Sequence, residues 1–376
     1  MNLSIIDLIK DINGQSKKYL KTQNYIGWKC TYVPEEIIMA AGFIPYRIMG
    51  ANIGINKAKS YLQGNLNPYT QSCLECALKG DYDFLKGVII GNSDDASRRL
   101  FDVWQKYLKN AFVYLLDIPK STGEDAIERY KLEIENLIRQ LEKKFEIKIT
   151  DASLRKSARI INETRNILNS LNEVRKKDSS FVKSSEFLEI MKLAMTQPKE
   201  LFNKSFSLAL KEAVSKEKNI NAKSGPRILL TGSFQDQGWL TDIIEELGGS
   251  VVCEDICTRV RYFADNVDEE SDDILSAISK RYIQKPPCAR MVDLDKRLKH
   301  IYNLLKEFNI NGVIYYLLKF DDPYLFEFPE VKQSLRNNEI PVLLIESDHC
   351  LGAKEQIKTR IQAFLETLSI KIGTLT

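Results

Sequence analysis

Acidic side chains sit where apolar runs stop. The runs end in Asn92-Ser93-Asp94-Asp95, Asp117, Thr231-Gly232-Ser233, Glu254-Asp255, Lys319-Phe320-Asp321-Asp322 and Glu346-Ser347-Asp348. Taken singly, Ser, Asp and Asn beside a helix start are preferred N-caps. Taken together they fall where an open α/β sheet keeps its ligand site, just past the carboxyl ends of the strands. Two adjacent carboxylates there, such as Asp321 and Asp322, are either a site or a helix N-cap. Seven cysteines (30, 73, 76, 253, 257, 288 and 350) are too few and too scattered for a disulfide framework in 376 residues. Cys30 lies just before a helix N-terminus, where a thiolate is stabilised. Cys73 and Cys76 have C-x-x-C spacing on one helix without a second pair, a weak metal signal; burial is the default for Cys253, Cys257, Cys288 and Cys350. With only two histidines, His300 and His349, no His-based zinc site is expected.

The elements that would position these residues follow from the apolar pattern. Val313–Pro323 opens as an apolar run without helical spacing, a strand buried on both faces. Ile44–Ile48, Gly87–Ile90, Phe112–Leu116, Ile228–Thr231, Val251–Glu254 and Pro341–Ile345 read as further strands, with helices between them in βαβ order. Residues 1–24 read as an amphipathic helix rather than a signal peptide. Pro34 opens a helix with Glu35 and Glu36 in its first turn. Other helices are expected over Asn67–Lys79, Ala96–Leu108 and Trp239–Leu247, and at about 292–308, 329–338 and 354–369. From 123 to 222 the apolar residues take helical spacing, and Lys223-Ser224-Gly225-Pro226 marks a boundary. The expectation is an α/β domain over 1–122, a helical section over 123–222 and a second α/β domain over 223–376, with a cleft between the domains.

Net charge of +3, 44% hydrophobic and 28% charged residues are ordinary for a globular, cytoplasmic chain, and imply neither nucleic-acid nor membrane partners. There is no GxGxxG, no GxxxxGK[ST] and no GxSxG.

Three stretches carry a family resemblance. GWKCTYVPEEIIMAAGFIPYRIMG, GVIIGNSDDASRRLFDVW and YYLLKFDDPYLFEFP resemble, in order, the signatures of the 2-hydroxyacyl-CoA dehydratase and benzoyl-CoA reductase family; RILLTGSFQDQGWLTDIIEELGGSVVCED and the C-terminal segment are similar to its remaining parts. The resemblance implies two flavodoxin-like parallel-sheet domains joined by helices. It implies pairing with a homologous cluster-bearing subunit as a heterodimer, or with itself. It further implies a 4Fe-4S cluster held by three cysteines in the cleft, one-electron supply from an ATP-hydrolysing iron–sulfur activator, and radical chemistry on a CoA thioester in anaerobic metabolism. Of the three cluster positions, this chain keeps Cys30 but has Asp94 and Asp321 for the other two. Thiolates saturate iron in a way carboxylates do not, so the cluster site is atypical or absent unless Cys73 or Cys76 substitutes. Glu36 is then a candidate polar group facing the cleft. Arg98 and Lys319 are candidates for the anionic substrate. Three functions stay open: a subunit of a dehydratase or reductase complex, a non-catalytic scaffold subunit that lost its redox centre, or a stand-alone enzyme using Asp94 and Asp321 as paired carboxylates.

Overall fold

Eight short apolar runs pair into two four-stranded sheets, every strand parallel to its neighbours. The first sheet holds β1 (Tyr25–Lys29), β2 (Ile44–Arg47), β3 (Leu85–Asn92) and β4 (Phe112–Asp117) in the order β2-β1-β3-β4. The second holds β5 (Arg227–Gly232), β6 (Ser250–Asp255), β7 (Gly312–Leu318) and β8 (Val342–Ser347) in the order β6-β5-β7-β8. The two orders are the same arrangement, reached by sequences without a recognisable repeat. In each sheet the order reverses between the first and third strands (β1/β3 and β5/β7), which is where an open α/β sheet forms its crevice. This computed structural model describes residues 8–373 except 13, 15–19, 21, 178–181, 216–224, 236–237 and 349–353. His349, Cys350, the boundary residues Lys223 and Ser224, and much of the N-terminal helix therefore lie outside the described residues.

The helices are α1 (Glu35–Ala40), α2 (Pro68–Leu78), α3 (Asp95–Tyr107), α4 (Glu124–Phe145), α5 (Asp151–Lys177), α6 (Ser184–Thr196), α7 (Lys199–Ser215), α8 (Trp239–Glu246), α9 (Val260–Phe263), α10 (Ile274–Gln284), α11 (Leu294–Glu307), α12 (Asp322–Asn337) and α13 (Lys354–Gly373). Two expectations change. Strand β1 has no counterpart among the expected strands. Its five residues YIGWK are too few to show a period, yet all are buried and they form an interior strand of the first sheet. Helix α12 begins at Asp322, not near 329, because Pro323 takes the first turn, where its missing N–H costs nothing, and Pro329 is carried inside the helix.

The middle helices share a core with both sheets. Trp28, Ile89 and Leu116 of the first sheet, Val252, Val313 and Tyr315 of the second, and Ile134, Leu137, Leu168 and Leu171 of α4 and α5 belong to one buried cluster. Ion pairs fasten the same contact. Glu35 meets Lys199 of α7 at 2.7 Å and Glu36 meets Arg165 of α5 at 2.7 Å. Arg175 of α5 meets Glu254 of β6 at 3.2 Å, both side chains almost fully buried. Among the described residues no helix is long and apolar enough to cross a membrane.

Candidate functional site

The strand-end residues converge on one cavity between the sheets. Lys29, Cys30, Thr31 and Tyr32 come from the end of β1, Arg47 from the end of β2, and Ser93 and Asp94 from the end of β3. The N-terminus of α2 adds Asn67, Tyr69 and Thr70. The second sheet answers with Phe234 after β5, Cys257 after β6, and Asp321 and Tyr324 after β7. Cys288 and Arg290 reach in from the loop between α10 and α11.

Local backbone places the first thiol. Cys30 leaves β1 with φ +89°, a region that non-glycine residues rarely occupy and that stores strain. Its side chain lies so close to β3 that a Cβ on Gly91 would stand 3.0 Å from the Cys30 Cβ. Asp94 caps α3, accepting a hydrogen bond from the Ser97 N–H at 2.8 Å. Asp321, in the turn after β7, is buried.

Between the two carboxylates stands Arg290. Its Nε donates to Asp94 Oδ2 at 2.6 Å and its Nη2 to Asp321 Oδ1 at 2.7 Å. The guanidinium also lies 5.6 Å from the Tyr324 ring centroid. Burial alone would raise both carboxyl pKa values. At Asp94 the charges of Arg290 and Lys29 outweigh it and hold the carboxyl well below its usual range. At Asp321 burial wins over the attraction of Arg290, and the carboxyl is raised. The two share one cation, so they titrate as a pair.

The cavity holds two further thiols, Cys257 and Cys288, beside Cys30. Burial pushes Cys257 up, against the pull of Arg47 and Arg261. Sequence reasoning makes both of them buried structural thiols and misses their place at the cleft. The one available signal is that Cys257 follows the end of β6 by two residues. Arg290 carries no signal at all, since it stands in a loop between helices and only folding brings it across the cleft.

Other candidates fall elsewhere. Glu36 does not face the cavity; its carboxylate turns to Arg165, with Tyr282 Oη donating to it at 2.8 Å, because a buried anion needs its partner at hand. Cys73 and Cys76 are buried in the core on α2 and do not line the cleft; burial pushes Cys76 up to about 12. Arg98 is exposed on α3, and Lys319 is exposed and paired with Asp348 at 3.1 Å.

A 4Fe-4S cluster on Cys30, Asp94 and Asp321 does not fit this arrangement. Both carboxylates are committed to Arg290, and a cluster wants soft thiolates. Among the described residues, no group of three Cys, His, Asp or Glu side chains is arranged to hold a metal ion.

Twin parallel sheets whose switch points share a polar, thiol-lined crevice define an α/β protein with two flavodoxin-like parallel-sheet domains. Similarity to known proteins makes this specific. Residues 30–368 match the family model described as 2-hydroxyglutaryl-CoA dehydratase, D-component. The chain is 30% identical to the (R)-phenyllactyl-CoA dehydratase beta subunit of Clostridium sporogenes, over 96% of this chain and 97% of that protein. It is 26% identical to a benzoyl-CoA reductase subunit of Thauera aromatica (95% and 94% covered) and 25% identical to the lactoyl-CoA dehydratase beta subunit of Anaerotignum propionicum (97% and 99%). The chain belongs to this family of acyl-CoA dehydratase and benzoyl-CoA reductase subunits.

Proposed function

We propose that this chain is the partner subunit of a complex that acts on a CoA thioester by one-electron radical chemistry, with the redox centre carried by a homologous subunit and fed by an ATP-hydrolysing iron–sulfur activator. Its own cluster site has become an ion pair. The carrying observation is Arg290, bonded at 2.6 and 2.7 Å to the two aspartates that stand where the family pattern implies thiolates. Replacing two thiolates by carboxylates alone would leave like charges facing each other across a low-dielectric cleft. One guanidinium neutralises them and ties the loop after β3 to the loop after β7. In this reading the chain shapes and rigidifies the complex.

The scaffold reading differs only in whether this subunit is needed for turnover. The paired-carboxylate reading draws support from the opposed pKa shifts of Asp94 and Asp321, but each carboxylate has an oxygen tied to Arg290.

The test is anaerobic purification of the chain alone and with its homologous partner, followed by iron, acid-labile sulfide and acyl-CoA turnover. The expected result is less than one cluster per chain on this subunit alone, and turnover that needs both subunits. A stoichiometric cluster on the isolated chain sinks the proposal, and so does a partner that turns over without it.

A further inference from the structure

Among the described residues, the fully buried arginines have company, with one exception. Arg165 meets Glu36, Arg175 meets Glu254, Arg261 meets Asp255, and Arg297 meets Asp255 and Glu327. Arg47 is 2% exposed, and its Nε and Nη1 are buried without a hydrogen-bond partner. No described carboxylate lies within ion-pair distance of it. Its guanidinium rests 4.5 Å from the Trp28 ring centroid and 6.0 Å from that of Phe234. Ring stacking engages the face of a guanidinium and leaves its N–H edge unsatisfied. Arg47 and Lys29 both line the cleft cavity, and Lys29 is 5% exposed with the Ser97 hydroxyl, 3.2 Å away, receiving its ammonium. The cavity wall thus carries three cations, Lys29, Arg47 and Arg290, against two carboxylates, Asp94 and Asp321. One positive charge is uncompensated in a place where an unpaired charge is costly.

We infer that the cleft of this subunit binds a small organic carboxylate, drawn by the unpaired charge of Arg47 and supported by Lys29. A carboxylate supplies the missing negative charge, and the aromatic residues Trp28, Tyr69 and Phe234 around the cations lower the screening of that attraction. The cavity measures about 60 Å³. A water needs roughly 10–15 Å³ on that measure, so the space takes on the order of four non-hydrogen atoms. Acetate is of that size. The inference rests on the reading that this chain holds no cluster, because Cys30, Asp94 and Asp321 line the same cavity; the iron assay above tests that reading separately.

The test uses the full chain, with sodium acetate as the probe and sodium chloride and sodium phosphate at matched ionic strength as controls. Calorimetric titration and the rise of Tm with ligand concentration are the readouts. Acetate is expected to bind one per chain and to raise Tm where chloride and phosphate do not. Arg47→Met is expected to abolish both responses, Arg47→Lys to weaken binding at least tenfold, and Lys29→Met to weaken it to a lesser degree. Because the methionine removes an unpaired buried charge, the variant should match or exceed the ligand-free wild type in Tm. Equal responses to chloride or phosphate, or acetate binding retained in Arg47→Met, overturn the inference. If Arg47→Met does not fold, Arg47→Lys decides: undiminished acetate affinity there overturns it as well.

Discussion

At the scale of single residues, Arg290 decides the electrostatics of the cleft. Removing it takes away the cation bonded to both buried carboxylates and leaves Lys29 near Asp94, so Arg290→Met is expected to cost about 3 kcal/mol at neutral pH, measurable by urea unfolding. The pH dependence has a definite sign. The folded-state pKa of Asp94 is depressed, so its stabilisation is present above the ordinary carboxylate range, near ~4, and is lost as pH falls through the folded value. Asp321 is raised, so its ionisation opposes folding above that range and the penalty is relieved on acidification. Without Arg290 both carboxyls rise, Asp94 less than Asp321 because Lys29 and the Ser97 N–H remain beside it. The gap between wild type and Arg290→Met should therefore be widest near pH 7 and shrink as pH falls towards 4. A gap that stays constant with pH would mean that Arg290 acts through packing alone. Cys30, held at φ +89°, shows the same economy of position: the strained turn aims its side chain at the cleft rather than into the sheet.

Elements set these residues to within a hydrogen bond, and they depend on close approach at the strand ends. Gly232, the last residue of β5, has φ +123°, and a Cβ there would lie 2.1 Å from the Tyr316 carbonyl oxygen of β7. The next N–H, from Ser233, donates to that same oxygen at 2.8 Å. The Ser233 hydroxyl then accepts from the Leu318 N–H at 3.1 Å, which holds the β7 end that leads to Asp321. Gly232→Ala combines a backbone penalty with a backbone clash, and is expected to destabilise the chain by about 3 kcal/mol or more. Thermal unfolding checks this; a loss below about 1 kcal/mol would show that the two strands part easily. The short N-terminal segment of α1 works differently. Its two glutamates, placed there by the preference for anions at a helix start, reach across to α5 and α7 and lock the first sheet to the middle helices.

For the whole molecule, these contacts are expected to make the two sheets and the helical middle unfold as one body. Glu36→Gln should cost about 3–5 kcal/mol, since it leaves the Arg165 charge buried with only Asn162, Tyr282 and the amide around it. The loss should appear as a single shifted unfolding transition and not as separate melting of one sheet. A biphasic transition would show that the sheets fold independently. The uncompensated cation at Arg47 and the clamp at Arg290 give this chain an electropositive cleft.

Sequence alone determined a good deal of this. Apolar runs broken by acidic caps point to the α/β class and to seven of the eight strands, because buried parallel strands are locally recognisable. The three signature stretches carry the family, and with it the expectation that Cys30, Asp94 and Asp321 meet. They do line one cavity. Tertiary structure alone decided what that meeting means. Arg290 and Cys288 come from a segment with no period or motif, and they reach the cleft only through the packing of loops far apart in sequence; Cys257 had only its place just past the end of β6 to mark it. The fate of Glu36 and the isolation of Arg47 are likewise illegible in the sequence, because a charge is paired or orphaned by its neighbours in space. Burial then multiplies the consequence of either outcome.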